Sequence, residues 1–154
     1  MGLATRLATI DDVPAVARML HDFNTEFDTP SPGPDVLLDR LGRLLDTTDT
    51  FAVVAGSPPL GLALVTLRTN VWFDGRVALL DELYVVPGRR GEGIGTRLID
   101  TLFDTARECE VDLIEINVDV DDVGARRFYE RHGFAAIEPA TGEHALYYSR
   151  ELKR

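Results

Sequence analysis

The stretch "PGRRGEGIGTRLID", Pro87 to Asp100, constrains the fold more than any other part of the chain. It follows an apolar run, "VALLDELYVV", that reads as a strand. It leads into Ile94, Leu98, Leu102 and Ala106, which recur at helical spacing and should bury one helix stripe against a sheet. A strand that passes through glycines into a helix is a scaffold for anions. Glycine lets the backbone turn several N–H groups toward one point, and the helix N-terminus adds its dipole. Two nucleotide templates fail here. The P-loop needs Gly-Lys-Ser/Thr, and no such Lys is present; the dinucleotide fingerprint needs a third glycine where Thr96 or Leu98 stands. What remains is Arg90-x-x-Gly93-x-Gly95.

The other 140 or so residues must therefore complete an α/β domain, and a chain of 154 residues is enough for one core, so a single domain over 1–154 is expected. A net charge of −10 argues against nucleic acid and leans toward a cationic small molecule or a basic peptide. No run reaches the length of a membrane span, and "MGLATRLATIDDV" lacks the build of a secretory signal. The one cysteine, Cys109, excludes an internal disulfide and fits a reducing compartment, so a cytoplasmic protein without membrane contact is expected.

"ATRLATI" reads as a short strand, followed by a helix capped at Asp11 or Asp12 with Pro14 in its first turn and Val13, Val16, Ala17, Leu20 and Phe23 on its apolar stripe. "TPSPGP" breaks it, and a second helix fits Asp35 to Leu45. "FAVVAG" is a strand. "LALVTLRTNVWF" and "RVALLDELYVV" are longer strands joined by a tight turn at Asp74-Gly75. The helix after the glycines should run from about Gly93 to Arg107, and "DLIEINV" is a buried strand. Asp121 or Asp122 caps a last helix that ends at His132-Gly133. "FAAIE" and "ALYYSREL" supply two closing strands. The expected order is β-α-α-β-β-β-α-β-α-β-β.

"DELYVVPGRRGEGIGTRLI" resembles, without a gap, the acyl-CoA motif of the GNAT superfamily of N-acetyltransferases: Arg or Gln, two residues, Gly, one residue, then Gly or Ala, between a central strand and a helix. The element order is also that family's, and "ARRFYERHGF" is similar to its second signature. The resemblance implies a mixed, mostly antiparallel sheet flanked by about four helices, acetyl-CoA as co-substrate, and a primary amine as acceptor. It also implies a possible homodimer. A non-catalytic acyl-CoA-binding regulatory module on the same fold is the alternative.

On this resemblance the diphosphate sits on the amides from Arg90 through Gly91, Glu92, Gly93, Ile94 and Gly95 to Thr96, with Arg89 or Arg90 adding charge. The pantetheine arm lies along Leu83, Val85 and Val86, and the Val85 amide is the donor to the thioester carbonyl. Tyr129 falls on the family's proposed acid for the departing thiolate; a phenol is ordinarily neutral at physiological pH and reaches far from its helix. Asp122 stands where many members carry Asn; it can cap a helix but cannot donate to the cofactor.

Asp81 and Glu82 are the candidate bases. A carboxylate on so apolar a strand calls for an explanation, and as strand neighbours the two should point to opposite faces. Asp81 is favoured, with Glu82 as substitute or as a group that binds the cation. The acids and aromatics of "HDFNTEFD", His21 to Asp28, are candidates for the acceptor wall. Cys109 has no evident partner as a nucleophile. His21, His132 and His144 lack ligand spacing, so no metal is expected.

Overall fold

A computed structural model of the protein describes residues 3–153. Two compact units are distinguished, one ending at Ile116 and the other beginning at Asn117. In the first unit five strands stand in sequence order in one sheet: β1 (Thr5–Leu7), β2 (Thr50–Ala55), β3 (Gly61–Arg68), β4 (Arg76–Val85) and β5 (Val111–Ile116). β1 to β4 pair antiparallel, and β5 runs parallel to β4. The crossover that parallel pairing requires is supplied by a helix, α3 (Ile94–Glu108). α1 (Val13–Glu26) and α2 (Pro34–Leu45) fill the connection from β1 to β2.

The sheet is covered on both faces, which is why its central strands read as continuous apolar runs rather than alternating ones. Val13, Val16, Ala17, Met19 and Leu41 of α1 and α2 pack with Ala52, Val54, Leu62, Leu64 and Tyr84. Against the opposite face α3 buries Ile94, Leu98, Ile99, Leu102 and Ala106. Gly61 permits that approach: a Cβ there would lie 3.2 Å from both Ile94 and Leu98. Both helical stripes expected from spacing are buried, apart from Leu20 and Phe23, which are half-buried at the edge of the first cluster.

Three expectations need correction. β3 and β4 are not joined by a two-residue turn at Asp74-Gly75, because β3 ends at Arg68 and β4 begins at Arg76. Asn70 Oδ1 accepts from the amides of Trp72 (2.7 Å) and Phe73 (3.2 Å), which folds that segment into a loop instead of a ladder. Gly75 is required for a different reason: its amide donates to Asp112 Oδ2 at 2.7 Å, and a Cβ would collide with Glu110 O. β5 is not fully buried; Asp112, Leu113 and Glu115 are exposed.

The third correction concerns the second unit. There α4 (Val123–Arg131) is capped by Asp122, whose Oδ1 accepts from Ala125 N at 3.0 Å, and it ends at His132 with Gly133 left-handed (φ 90°). The two closing strands do not form. A single antiparallel bridge, Ile137 to His144, stands in their place, and Leu146, Tyr147, Tyr148 and Leu152 are all exposed. Alternation specifies a strand only where one face gains burial, and here neither does.

Candidate active site

The centre of the site is an irregularity in β4. Glu82 pairs with Leu64 of β3, but the next pair is Leu80 with Val65, so Asp81 is an extra residue in the ladder. A bulge of this kind breaks the strict alternation of side chains. Its consequence overturns the expectation that Asp81 and Glu82 face opposite ways: both line one cavity of about 310 Å³. The other walls come from Leu20 and Asn24 of α1, Leu37, Arg40, Leu41 and Leu44 of α2, and Thr50 and Thr66 of β2 and β3.

The two carboxylates differ in their surroundings. Asp81 Oδ2 accepts a 2.5 Å hydrogen bond from Thr66 Oγ1. Loss of water raises its pKa above the usual value, and the Thr66 hydroxyl opposes that shift. Glu82 is half-buried, and its pKa is raised first by burial and then by the negative charge of Asp81. Among the described residues no side chain or backbone group donates to the Glu82 carboxylate, so nothing from the protein offsets its desolvation.

β4 also presents an open edge. β5 accompanies it only as far as the pair Leu80 with Ile116. Beyond that point the Val86 amide donates back to Leu60 O at 3.0 Å, on the β3 side. Backbone groups alternate along a strand, so the Val85 amide and carbonyl are directed to the edge that β5 has left. The Val85 carbonyl is met there by Arg90 Nε at 2.9 Å.

The glycine-rich turn follows directly. Pro87–Arg89 forms a short 3₁₀ turn, and Gly91 and Gly93 both take left-handed backbone angles (φ 79° and 78°), which a side chain would strain. Gly93 is the N-cap of α3 and no side chain caps that end. The amides at the head of the helix are thus arranged as an anion cradle.

The turn's positive charge is distributed otherwise than the spacing alone implied. Arg89 Nε donates to Glu92 at 2.7 Å. Arg90 makes a two-pronged pair with Glu26 at the end of α1, 2.8 Å on each branch, and Glu26 also accepts from the Tyr84 hydroxyl at 3.1 Å. The Arg90 guanidinium in turn holds the Glu26 carboxyl below the ordinary carboxylate range. Arg97, in the first turn of α3, was not singled out by the motif. Its Nε is buried with no partner, Nη1 would lie 3.8 Å from a Cβ on Gly93, and Nη2 makes only a long 3.5 Å contact with Glu92 O. Among the described residues it has no acid partner. Its spacing, four residues after Gly93 and so one helical turn along, was the available signal.

Of the stretch His21 to Asp28, Asn24 reaches the cavity, while Glu26 joins the turn and His21 Nδ1 lies 2.8 Å from Ser31 Oγ. In the second unit Tyr129 is buried on α4, with Phe128 and Phe134 edge-on at 5.2 and 5.6 Å. Phe128 also lies 4.7 Å from the His132 ring and beneath the Arg131 guanidinium. Among the described residues no group of three or more His, Cys, Asp or Glu could hold a metal, and no helix is long and apolar enough to cross a membrane.

Comparison with known proteins bears on this geometry. The model of the acetyltransferase (GNAT) family matches residues 14–134. A mycothiol acetyltransferase of Beutenbergia cavernae is 34% identical over 74 residues, covering 46% of this chain and 25% of that protein. An uncharacterised N-acetyltransferase of Methanocaldococcus jannaschii is 39% identical over 66 residues, covering 43% of this chain and 29% of that one. The chain thus matches between a quarter and three-tenths of the length of these curated relatives. The crystal structure of a proposed acetyltransferase from Arthrobacter sp. FB24 superimposes with a TM-score of 0.90 at 52% identity, over 97% of this chain and 96% of that one.

Proposed function

Because this chain belongs to the acetyltransferase (GNAT) family, we propose that it moves an acetyl group from acetyl-CoA to a primary amine by direct attack, with no acetyl-enzyme. The observation that carries this reading is the bulge at Asp81. It puts two carboxylates on one cavity wall, immediately before the open edge of β4 and the anion cradle.

The co-substrate supplies a thioester-activated acetyl group. The residues suited to hold it are those of the turn: the amides from Arg90 to Thr96, with Arg97 as the guanidinium nearest the helix head that no acid already neutralises. Arg89 and Arg90 instead brace the turn through Glu92 and Glu26. Leu83 and Val85 form the edge along which the extended arm would lie, whereas Val86 gives its amide to Leu60 and its carbonyl accepts from the Arg89 amide. The Val85 N–H, directed at that edge, donates to the oxygen on which charge develops.

An amine enters as an ammonium ion, which two carboxylates attract, and must lose a proton before it can attack. Glu82 is assigned that proton, directly or through water. Its raised pKa brings it closer to that of an amine, and no protein donor competes for its lone pairs. Asp81, fixed by Thr66, anchors the cation. Tyr129 is assigned the acid that returns a proton to the departing thiolate; the support is the resemblance of "ARRFYERHGF" to the family's second signature.

The test is release of free thiol from acetyl-CoA across a panel of primary amines. Amine-dependent release supports the reading. CoA binding with no release on a broad panel overturns it in favour of a regulatory module.

A further inference from the structure

The cavity holds one charge that acetyl transfer to a simple amine does not use. Arg40 lines it together with Asp81 and Glu82. Arg40 stands on the same helical face as Leu37, Leu41 and Leu44, so it is placed on the cavity wall by α2 itself rather than by a flexible loop. The nearest acid in sequence, Asp39, is engaged by Arg43 at 2.9 Å. Among the described residues Arg40 has no ion-pair partner.

Three kinds of surface thus meet in one small space: a pair of carboxylates on β4, a guanidinium on α2, and leucines from α1, α2 and β3. A wall of two acids alone would favour a diamine or a larger polycation, as the overall charge of −10 also suggests. A guanidinium in the same cavity works against a second positive charge and provides a two-pronged partner for a planar anion. The volume, about 310 Å³, is at the small end of ligand cavities and suits one compact molecule.

We infer that the acceptor is a zwitterion: a primary amine on a small apolar body that also bears a carboxylate or similar anion. The ammonium faces Asp81 and Glu82, the anion faces Arg40, and the body lies on Leu20, Leu37, Leu41, Leu44 and Leu64. This rests on the acetyltransferase reading of the same site and narrows its substrate class. It replaces the lean toward polycations that net charge gives.

Two matched sets of probes test it. The first is 6-aminohexanoate, hexylamine and 1,6-diaminohexane, which share a chain and differ only in the charge at its far end. The second is leucine and isopentylamine, which differ by the carboxylate. With the wild-type chain, kcat/KM from thiol release should favour a zwitterion over its anion-free partner at least about tenfold, the scale of one charge-assisted contact. Arg40→Glu should reverse the order and favour the diamine. Equal rates within both sets, a wild-type preference for the diamine, or a preference for the anion that survives Arg40→Glu would each overturn the inference while leaving amine acetylation standing. Absence of thiol release from all five probes counts against acetyl transfer to these amines and not against the cavity's choice of ligand. Calorimetric titration of the same five compounds then decides the inference: tighter binding of a zwitterion, lost in Arg40→Glu, upholds it, and its absence overturns it.

Discussion

The turn from Pro87 to Glu92 and the cavity beside it treat charge in opposite ways. In the turn Arg89 and Arg90 each have a carboxylate within 2.8 Å, and the end of α1 is tied to the turn by Glu26. In the cavity, among the described residues, Asp81 has only a hydroxyl and Glu82 no protein donor, both partly desolvated, while Arg40 stands exposed at the wall without an ion pair. Paired charges hold a shape; unpaired, partly desolvated ones carry a cost that a ligand can remove. The comparison teaches that two ion pairs brace the turn, so that what it offers an anion is its amides, whereas the cavity leaves its charges to a molecule that enters.

The sharpest break of that comparison is Glu82→Gln. Turnover should fall about a hundredfold to ten-thousandfold, the range for loss of a general base, with little change in CoA affinity. The same change should raise thermal stability at pH 7. A carboxyl whose folded pKa lies above its unfolded value destabilises the fold once it is ionised, and Gln removes that charge. The gain should vanish below about pH 4, where both states hold the proton. A fall in melting temperature at pH 7 would show that Glu82 is stabilised by its surroundings and is not a poised base.

Tyr129→Phe should lower turnover about a hundredfold while leaving the dissociation constant of acetyl-CoA nearly unchanged. Unaltered turnover would remove Tyr129 from the reaction. Next is Arg97→Ala, for which the KM for acetyl-CoA should rise about tenfold to a hundredfold, the value of a hydrogen bond to a charged group. Arg89→Ala should cost much less, because its partner is Glu92. The reverse order would mean that the turn's paired arginines exchange partners when the ligand arrives.

The smallest effect on activity belongs to a pair outside both regions. Arg6 donates to Asp12 at 2.6 and 2.9 Å, and with the Thr9 amide it holds the Asp12 carboxyl at a pKa of about 2, against an ordinary 3.8. Folding therefore favours the ionised form. That contribution, about 2 kcal/mol, is present above about pH 4 and is lost as pH falls toward 2. Asp12→Asn should reduce unfolding free energy by about that amount at pH 7 and by little at pH 2, with turnover unaffected. Urea titrations at the two pH values check it.

Much of the first unit was legible because its signals are local. The stripe Ile94, Leu98, Leu102, Ala106 and the glycines at 91 and 93 each reflect a requirement of one helix or one turn. Pro14 marks the start of α1 for the same reason, and α2 begins one residue before the expected Asp35, at Pro34. Asp122 could be read as a cap since capping involves only residues three apart. The last strands were misread because "FAAIE" and "ALYYSREL" alternate well, yet alternation cannot say whether a face will be buried. The loop before β4 was misread because the role of Gly75 depends on Glu110 and Asp112, which are distant in sequence.

By itself the sequence determined the family resemblance, the strand–turn–helix arranged as an anion cradle, and the presence of two acids on the strand before it. Tertiary structure alone decided how those acids and the nearby arginines are used. A bulge exists only relative to a partner strand, so the shared orientation of Asp81 and Glu82 required β3. Whether an arginine is free or neutralised depends on what folding brings beside it: Glu26 reaches Arg90 across 64 positions, while nothing charged reaches Arg97 among the described residues. Local spacing sets backbone shape, and long-range packing sets the electrostatic environment in which the chemistry occurs.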